Sequence, residues 1–353
     1  MNQTCIDAFC GAGGLSLGLT RAGLDVVYAF DNDPLSIQTY NLNKKHLPHA
    51  AEVRDVTDID PKELLSRLNL DVGQVFLLAG GPPCQGFSIQ RIGADEDDRN
   101  DLVLAYARLI DDIQPKFFLM ENVPGLSGKR GANVLSSFLH RIADSGYHPH
   151  SEILNAEDYG IPQRRRRIFV LGVRNDLYRR PFEFTRPKPT SAYSRTTVEQ
   201  TIGELPPPPP DGSEHPQIPH HRSDRLSKVN LARIRALKPG QGMEHLPEEL
   251  LAECHKLGPD KIGHRNVYGR MSWNDVAPTI TARFDSFTRG KFGHPDQDRS
   301  VTLREGALLQ TFPMDFSFVG NKVEVARQIG NAVPPKLAEA IGRMIIRYSK
   351  IEV

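Results

Sequence analysis

The sequence predicts an α/β fold built on a largely parallel sheet, and three observations carry that prediction. Short β-rich apolar runs alternate with helical patterns through the N-terminal half, several of the runs end in glycine-rich turns, and helices follow these turns. Such an order places ligands above the C-terminal ends of the strands.

Taken in order, Thr4–Phe9, Val26–Phe30, Val75–Ala79 and Phe117–Met120 read as strands, with helices over Gly14–Ala22, Pro34–Asn43 and Asp101–Ile113. The pattern continues to Arg167–Val173. It then gives way to Pro181, Pro187, Pro189 and the run Pro206–Pro210, which suit neither a helix interior nor a central strand. A first domain of residues 1–184 follows. Residues 185–300, poor in periodicity and rich in His, Pro, Gly and Arg, suit a smaller irregular domain. Helical register returns in Arg304–Gln310, and Pro335–Tyr348 reads as a helix opened by proline, so residues 301–353 rejoin the first domain.

The bulk numbers exclude some classes. With 353 residues, 39% hydrophobic and 25% charged, the chain matches a globular protein of one large or two modest cores. No basic segment followed by an apolar core opens it, and no run approaches the ~18 apolar residues of a membrane span, which points to an intracellular, cytoplasmic protein. The cysteines Cys5, Cys10, Cys84 and Cys254 form no CxxC pair, so neither a zinc site nor a disulfide framework is expected. The net charge of +1 leaves a nucleic-acid partner open. Between His264 and His294, however, Arg265, Arg270, Arg283, Arg289 and Lys291 face only Asp275 and Asp285, with Tyr268, Trp273, Phe284 and Phe287 interleaved. This is the candidate DNA-facing surface; a solvated charged face over a small core is the plain alternative.

Six features carry chemistry. Asp7-Ala8-Phe9-Cys10-Gly11-Ala12-Gly13-Gly14 is a strand end running into closely spaced glycines. It fits neither GxGxxG, since Ser16 stands at the third glycine, nor a phosphate loop, which favours another adenosine-bearing cofactor whose amino-acid end uses the backbone amides of the turn. Asp31, ending the next strand, is placed to accept two hydrogen bonds from a ribose diol. Asp55 is placed to accept from an adenine amine or, equally, to cap a turn. In Gly80-Gly81-Pro82-Pro83-Cys84-Gln85-Gly86-Phe87-Ser88 a cysteine sits in a loop stiffened by proline just after a buried strand, so its thiol is either an activated nucleophile or an ordinary buried one. Glu121 ends an apolar strand, where burial would let it hold and share a proton if the strand lies beside Cys84. Finally, Gln163-Arg164-Arg165-Arg166-Arg167 enters a strand, so Arg165 and Arg167 share one face and Arg164 and Arg166 the other.

Together and in this order these segments resemble the bacterial-type DNA (cytosine-5) methyltransferase family, over about residues 4–175 and 300–345. Phe9–Gly14, Pro83-Cys84-Gln85, Glu121-Asn122-Val123, Gln163-Arg164-Arg165, Arg304-Glu305 and Gly330-Asn331-Ala332-Val333-Pro334 carry the likeness. The resemblance implies a Rossmann-like S-adenosylmethionine-dependent methyltransferase sheet with helices on both faces, and a target recognition domain at residues 185–300. It implies S-adenosylmethionine as cofactor and S-adenosylhomocysteine as product. Phe9, Gly11, Ala12, Gly13, Gly14, Asp31, Asn32, Asp55, Val56, Pro82, Leu102, Asn331 and Val333 would surround the cofactor, and no metal is needed. Cys84 would attack C6 of a flipped cytosine, with Glu121 at N3 and the exocyclic amine, Arg167 at O2, and Arg165 beside them. Gln85, Ser88, Arg265, Arg270, Thr279, Arg283, Arg289 and Lys291 would meet double-stranded DNA, Thr279-Ile280 matching a short element near the flipped base. The implied protein is a monomer that modifies DNA, alone or with a restriction endonuclease acting on the same site. The sequence departs from the familiar pattern at Asp31, where a glutamate is common, at Asn32, where an aromatic residue is common, and at Arg164 and Arg166, which add charge. A transfer-RNA methyltransferase of the same fold is the nearest rival, although its Cys-Phe-Thr signature appears here only as Ser286-Phe287-Thr288; an inactive DNA-binding regulator and a thiol hydrolase are more distant.

Overall fold

A computed structural model describes residues 3–83, 100–129, 131–186, 195–256 and 267–351. The expected contacts at Cys84, Gln85, Ser88 and Arg265 lie outside these residues.

Seven strands form one sheet: β1 (Thr4–Ala8), β2 (Asp25–Asp31), β3 (Ala51–Val53), β4 (Leu77–Gly80), β5 (Phe117–Asn122), β6 (Tyr147–Asn155) and β7 (Arg166–Arg174), in the order β3-β2-β1-β4-β5-β7-β6. The first five strands run parallel, as the alternating sequence predicts. β7 turns back antiparallel against β5, and β6 pairs antiparallel with β7 at the edge. Pro149 in β6 is tolerated because an edge strand has one side with no ladder to supply.

The helices are α1 (Gly14–Ala22), α2 (Pro34–Leu42), α3 (Pro61–Arg67), α4 (Asn100–Ile113), α5 (Ala132–Asp144), α6 (Val198–Ile202), α7 (Lys228–Arg235), α8 (Leu303–Leu309), α9 (Lys322–Asn331) and α10 (Pro335–Ser349). Among the described residues, no helix is long and apolar enough to cross a membrane.

The chain forms two compact units. One holds Met1–Asn155, Arg166–Pro187 and Val333–Val353; the other holds Ala156–Arg165 and Lys188–Ala332. The limit at Pro187 lies beside the expected break near 184, whereas the chain returns to the first unit at Val333 rather than near 301. Residues 301–332 pack within the second unit because α8 supplies its anchors. Glu305 takes the Arg299 guanidinium on both oxygens at 2.7 and 2.8 Å, and buried Arg304 donates to the carbonyls of Pro219 and Phe316.

In the first unit the sheet core joins Ile6, Phe30, Leu78, Phe118, Met120 and Val170 to α4 through Val103, Tyr106 and Ile110. Close helix packing closes the structure: a Cβ on Gly18 of α1 would fall 2.2 Å from the Pro335 carbonyl oxygen, and one on Gly342 of α10 would fall 2.7 Å from Ala22. Only glycine allows the two helices so near.

Candidate active site and nucleic-acid face

In the first unit, β1 ends in a turn that the backbone strains to make. Phe9 has φ 62°, Gly11 φ 51° and Gly13 φ 92°. At Gly13 a side chain would also strike Leu47 and Tyr40, whereas at Gly11 a Cβ would meet nothing within 4 Å. The turn is therefore crowded beneath and open above Gly11. Phe9 leans on Phe30 and Tyr106 at centroid distances of 6.4 and 6.3 Å, and half-buried Leu102 packs on the same core.

Asp31 braces this turn. Its Oδ2 accepts from the Gly11 amide and its Oδ1 from the Asp33 amide, both at 2.9 Å. The expectation that the turn's amides await a ligand is thus altered at Gly11, whose N–H is already taken. Burial raises the Asp31 carboxyl above its ordinary pKa, although those two backbone donors oppose the rise. Each oxygen retains a second lone pair for a diol.

Asp55 realises the capping alternative. Its Oδ1 accepts from the Thr57 amide at 2.9 Å and hydroxyl at 2.7 Å, bonds that hold its pKa low. Its Oδ2 lies 3.4 Å from the Asn32 amide, and Val56 beside it is buried. Open space at Gly11, a braced carboxylate and the apolar rims of Phe9 and Leu102 fit an adenosyl group.

Beneath the turn lies a residue that the sequence did not single out. Asp7 is fully buried, its Oδ2 accepts from Ser16 at 2.5 Å, and its Oδ1 has no hydrogen-bond partner. Burial, aided by the nearby Asp31 charge and opposed by Ser16, pushes its carboxyl from the usual 3.8 to about 7.

The ends of β4 and β5 meet next. The Tyr106 hydroxyl lies 3.0 Å from the carbonyls of both Leu78 and Leu119, and a side chain at Gly80 would strike Ala8 and Tyr106. Asn122 donates to the Pro82 carbonyl at 3.0 Å, which anchors the segment leading to Cys84. The preceding residue abuts the neighbouring carboxylate: a Cβ on Gly81 would lie 3.4 Å from Glu121 Oε2. Glu121 is 8% exposed, and Arg167 on β7 brings its Nε to 2.9 Å from Oε1. That contact is an ion pair without hydrogen-bond alignment, since Oε1 has no aligned donor. Glu121, Arg167 and the lead-in to Cys84 are therefore gathered within one unit, and the adjacent Asn122 is the support that sequence reading missed.

Arg164 and Arg166 are exposed and Arg165 is buried, which is the alternation a strand entry requires. Arg165 nevertheless needs correction as a catalytic candidate. Fully buried in the second unit, it donates to the carbonyls of Ile280, Gly330 and Ala332 at 2.9 to 3.0 Å. Its guanidinium is committed to backbone.

Arg270 is corrected likewise. It is 5% exposed and donates to Ile234, Leu237, His294 and Gln297 carbonyls and to Asp298, so it organises the second unit rather than facing DNA. The other basic candidates stay outside: Arg283 pairs with Asp285 at 3.1 Å, Lys291 with Glu244 at 2.8 Å, and Arg289 is exposed. Thr279 donates its hydroxyl to the Arg164 carbonyl at 2.5 Å.

A mixed seven-stranded sheet with these turns at its strand ends defines an α/β methyltransferase fold. The sequence family is equally definite. Residues 3–347 match the model of C-5 cytosine-specific DNA methylases, and the chain belongs to that family. Its relatives include the Type II methylase M.HgiDII of Herpetosiphon aurantiacus, 36% identical over 97% of this chain and 95% of that protein. The Type II methyltransferase M1.HphI of Haemophilus parahaemolyticus is 34% identical over all of this chain and 89% of its own. Among solved structures, an E. coli chain described as a prophage-encoded DNA modification methyltransferase superposes with a TM-score of 0.73, at 27% identity over 98% of both chains. Spodoptera frugiperda DNMT2 shares the fold, with a TM-score of 0.66 at 17% identity over 98% of this chain and 99% of its own.

Proposed function

We propose that this enzyme methylates C5 of a cytosine flipped out of double-stranded DNA, using Cys84 as a covalent nucleophile. The observation that carries the mechanism is the Glu121–Arg167 pair set against Gly81, with Asn122 holding Pro82 two residues before the cysteine.

The C5 carbon of cytosine is a poor nucleophile until C6 carries an electron-rich substituent. The Cys84 thiolate adds to C6, and the ring electrons shift to make C5 an enamine carbon. Glu121 shares a proton with N3, and Arg167 steadies the charge that develops at O2. S-adenosylmethionine, when bound along Phe9, Gly11, Asp31, Asn32, Asp55, Leu102 and the Asn331-to-Val333 turn, supplies the electrophilic methyl group. Loss of the C5 proton to a base then expels the Cys84 thiolate and restores the ring. Flipping the nucleotide costs roughly a few kcal/mol, which contacts made by the second unit help to offset. Arg283, Arg289, Lys291 and Thr279 are the residues assigned to that face, the basic ones through phosphates.

The Type II relatives support a modification role paired with an endonuclease of the same site, and a monomer suffices for the proposed chemistry. The mechanism is tested with Cys84→Ser and with duplexes carrying 5-fluorocytosine at the target. The variant should bind S-adenosylhomocysteine but transfer no methyl, and the native enzyme should form a stable adduct. Turnover by the variant would overturn the role of Cys84. Base-resolution mapping of 5-methylcytosine in cells expressing the gene supplies the target sequence.

A further inference from the structure

Three fully buried polar side chains of the second unit, Gln163, Arg165 and Gln310, join separate stretches of backbone into a closed ring. Ile280 donates its amide to Gln163 Oε1 at 2.8 Å and accepts from Arg165 at its carbonyl at 3.0 Å. Gln163 Nε2 donates to Gln310 Oε1 at 2.7 Å. Gln310 Nε2 donates to the Ile329 carbonyl at 2.6 Å and the Ala332 carbonyl at 3.1 Å. Arg165 closes the circuit on Gly330 and on the same Ala332 carbonyl.

Side chains, not a ladder or a helix, thus satisfy both backbone groups of Ile280. The two stretches also touch directly, because a Cβ on Gly330 would fall 2.2 Å from the Thr281 carbonyl carbon and 2.4 Å from the Ala282 nitrogen. No slack separates the segment at 279–282 from the end of α9 at 330–332. A buried polar network of this kind resists partial rearrangement, since each broken link leaves a buried group without its partner. Displacing Ala332 would disturb two donors at once.

We propose that Gln163, Arg165 and Gln310 are positioning residues that make Thr279–Ala282 and Gly330–Ala332 move as one body, so that cofactor binding at Asn331 sets the geometry that Thr279 and Ile280 offer the target base. The proposal rests on the roles given above to Thr279 and Asn331. Its energetic content is a coupling between cofactor and DNA, and such couplings are reciprocal.

Hydrogen exchange of the full chain, with and without saturating S-adenosylhomocysteine, reads the proposal in the native enzyme. Exchange at Ile280–Ala282 should slow about tenfold on binding, and the target duplex should tighten S-adenosylhomocysteine by a similar factor. Gln310→Glu keeps the acceptor for Gln163 and removes the donor to Ile329 and Ala332. In this variant both effects should shrink to less than about twofold, while each ligand bound alone changes by less than about threefold. Arg165→Lys, which keeps the charge and part of the donor set, should fall between. A native enzyme that binds S-adenosylhomocysteine with no slowing at 280–282 overturns the proposal whatever the variants do. So does a Gln310→Glu variant that loses stability with its linkage intact. Should Gln310→Glu not fold, Gln163→Glu, which keeps the acceptor for Ile280 and drops the donor to Gln310, is read by the same two measures. A native enzyme that binds neither S-adenosylhomocysteine nor DNA would instead refute the functional reading on which the proposal stands.

Discussion

Replacing Asp7 by asparagine should stabilise the protein at pH 8 and leave its stability nearly unchanged at pH 4. The carboxyl lies under the glycine turn with one oxygen on Ser16 and the other unpartnered, and its pKa is pushed from 3.8 to about 7. Between those values the folded chain holds a proton that the unfolded chain has released. Stability therefore falls as pH rises through this window, and the whole penalty is present above about pH 7. A shift of roughly three units at about 1.4 kcal/mol each sets a ceiling of about 4 kcal/mol. Asparagine never ionises, and its amide oxygen can still accept from Ser16. The difference between variant and native enzyme should grow from near zero at pH 4 toward that ceiling at pH 8, a gain of several degrees in melting temperature. Calorimetric melts at pH 4, 5.5, 7 and 8 measure it, and taking the difference removes the titration of groups the two proteins share. A difference that stays flat with pH, or a variant less stable at pH 8, would refute the assignment.

Other outcomes follow from the same geometry. Thr311 holds φ 70°, a conformation costing a β-branched residue about 1–2 kcal/mol, so Thr311→Gly should gain about 0.5–1 kcal/mol in urea unfolding after the entropy of glycine is subtracted. Arg167→Met leaves the Glu121 carboxylate buried without its cation and should cost about 3 kcal/mol of stability and at least ~100-fold in methyl transfer, measured on the same preparation; native stability would contradict the pairing. Arg270→Ala should lower stability by about 3 kcal/mol or more, whereas Arg289→Ala should leave the melt alone and reduce the salt slope of DNA binding by about one unit. If Arg270→Ala melted normally and lost only DNA affinity, its removal from the DNA face would be mistaken.

Four strands of the parallel half were legible because each carries its own local signal, an apolar run ending near a glycine or a carboxylate, whereas the three-residue β3, Ala-Glu-Val, has no such run. β6 was not legible either, since Tyr147–Asn155 contains Pro149 and several polar residues and is held at the edge by β7 rather than by its own pattern. Phe9, Asp31, Glu121 and Arg167 could be named as candidates because strand ends are where an α/β sheet puts its chemistry. Arg165 and Arg270 mark where local sequence stops being informative. An arginine that clamps buried carbonyls and one that grips a phosphate have the same local sequence signature, and only the surrounding acceptors tell them apart. Asp7 escaped notice for a related reason: inside a strand its carboxylate looks like the start of the turn motif, and its unusual proton affinity arises from residues far along the chain. Gln163 and Gln310 are 147 residues apart, so no window of sequence could have paired them.

The contact between Gly18 and the first turn of α10 has a consequence for synthesis. The surface of α1 that α10 covers is made before the second unit, yet its cover follows residues 188–332 of that unit in the chain. Until α10 is made, the apolar strip of α1 around Leu19 and Ala22 lacks the helix that packs on it. A chain released before residue 335 would keep that strip uncovered and should be cleared by proteolysis. Burial of α1 therefore waits on the stretch of chain that makes the second unit.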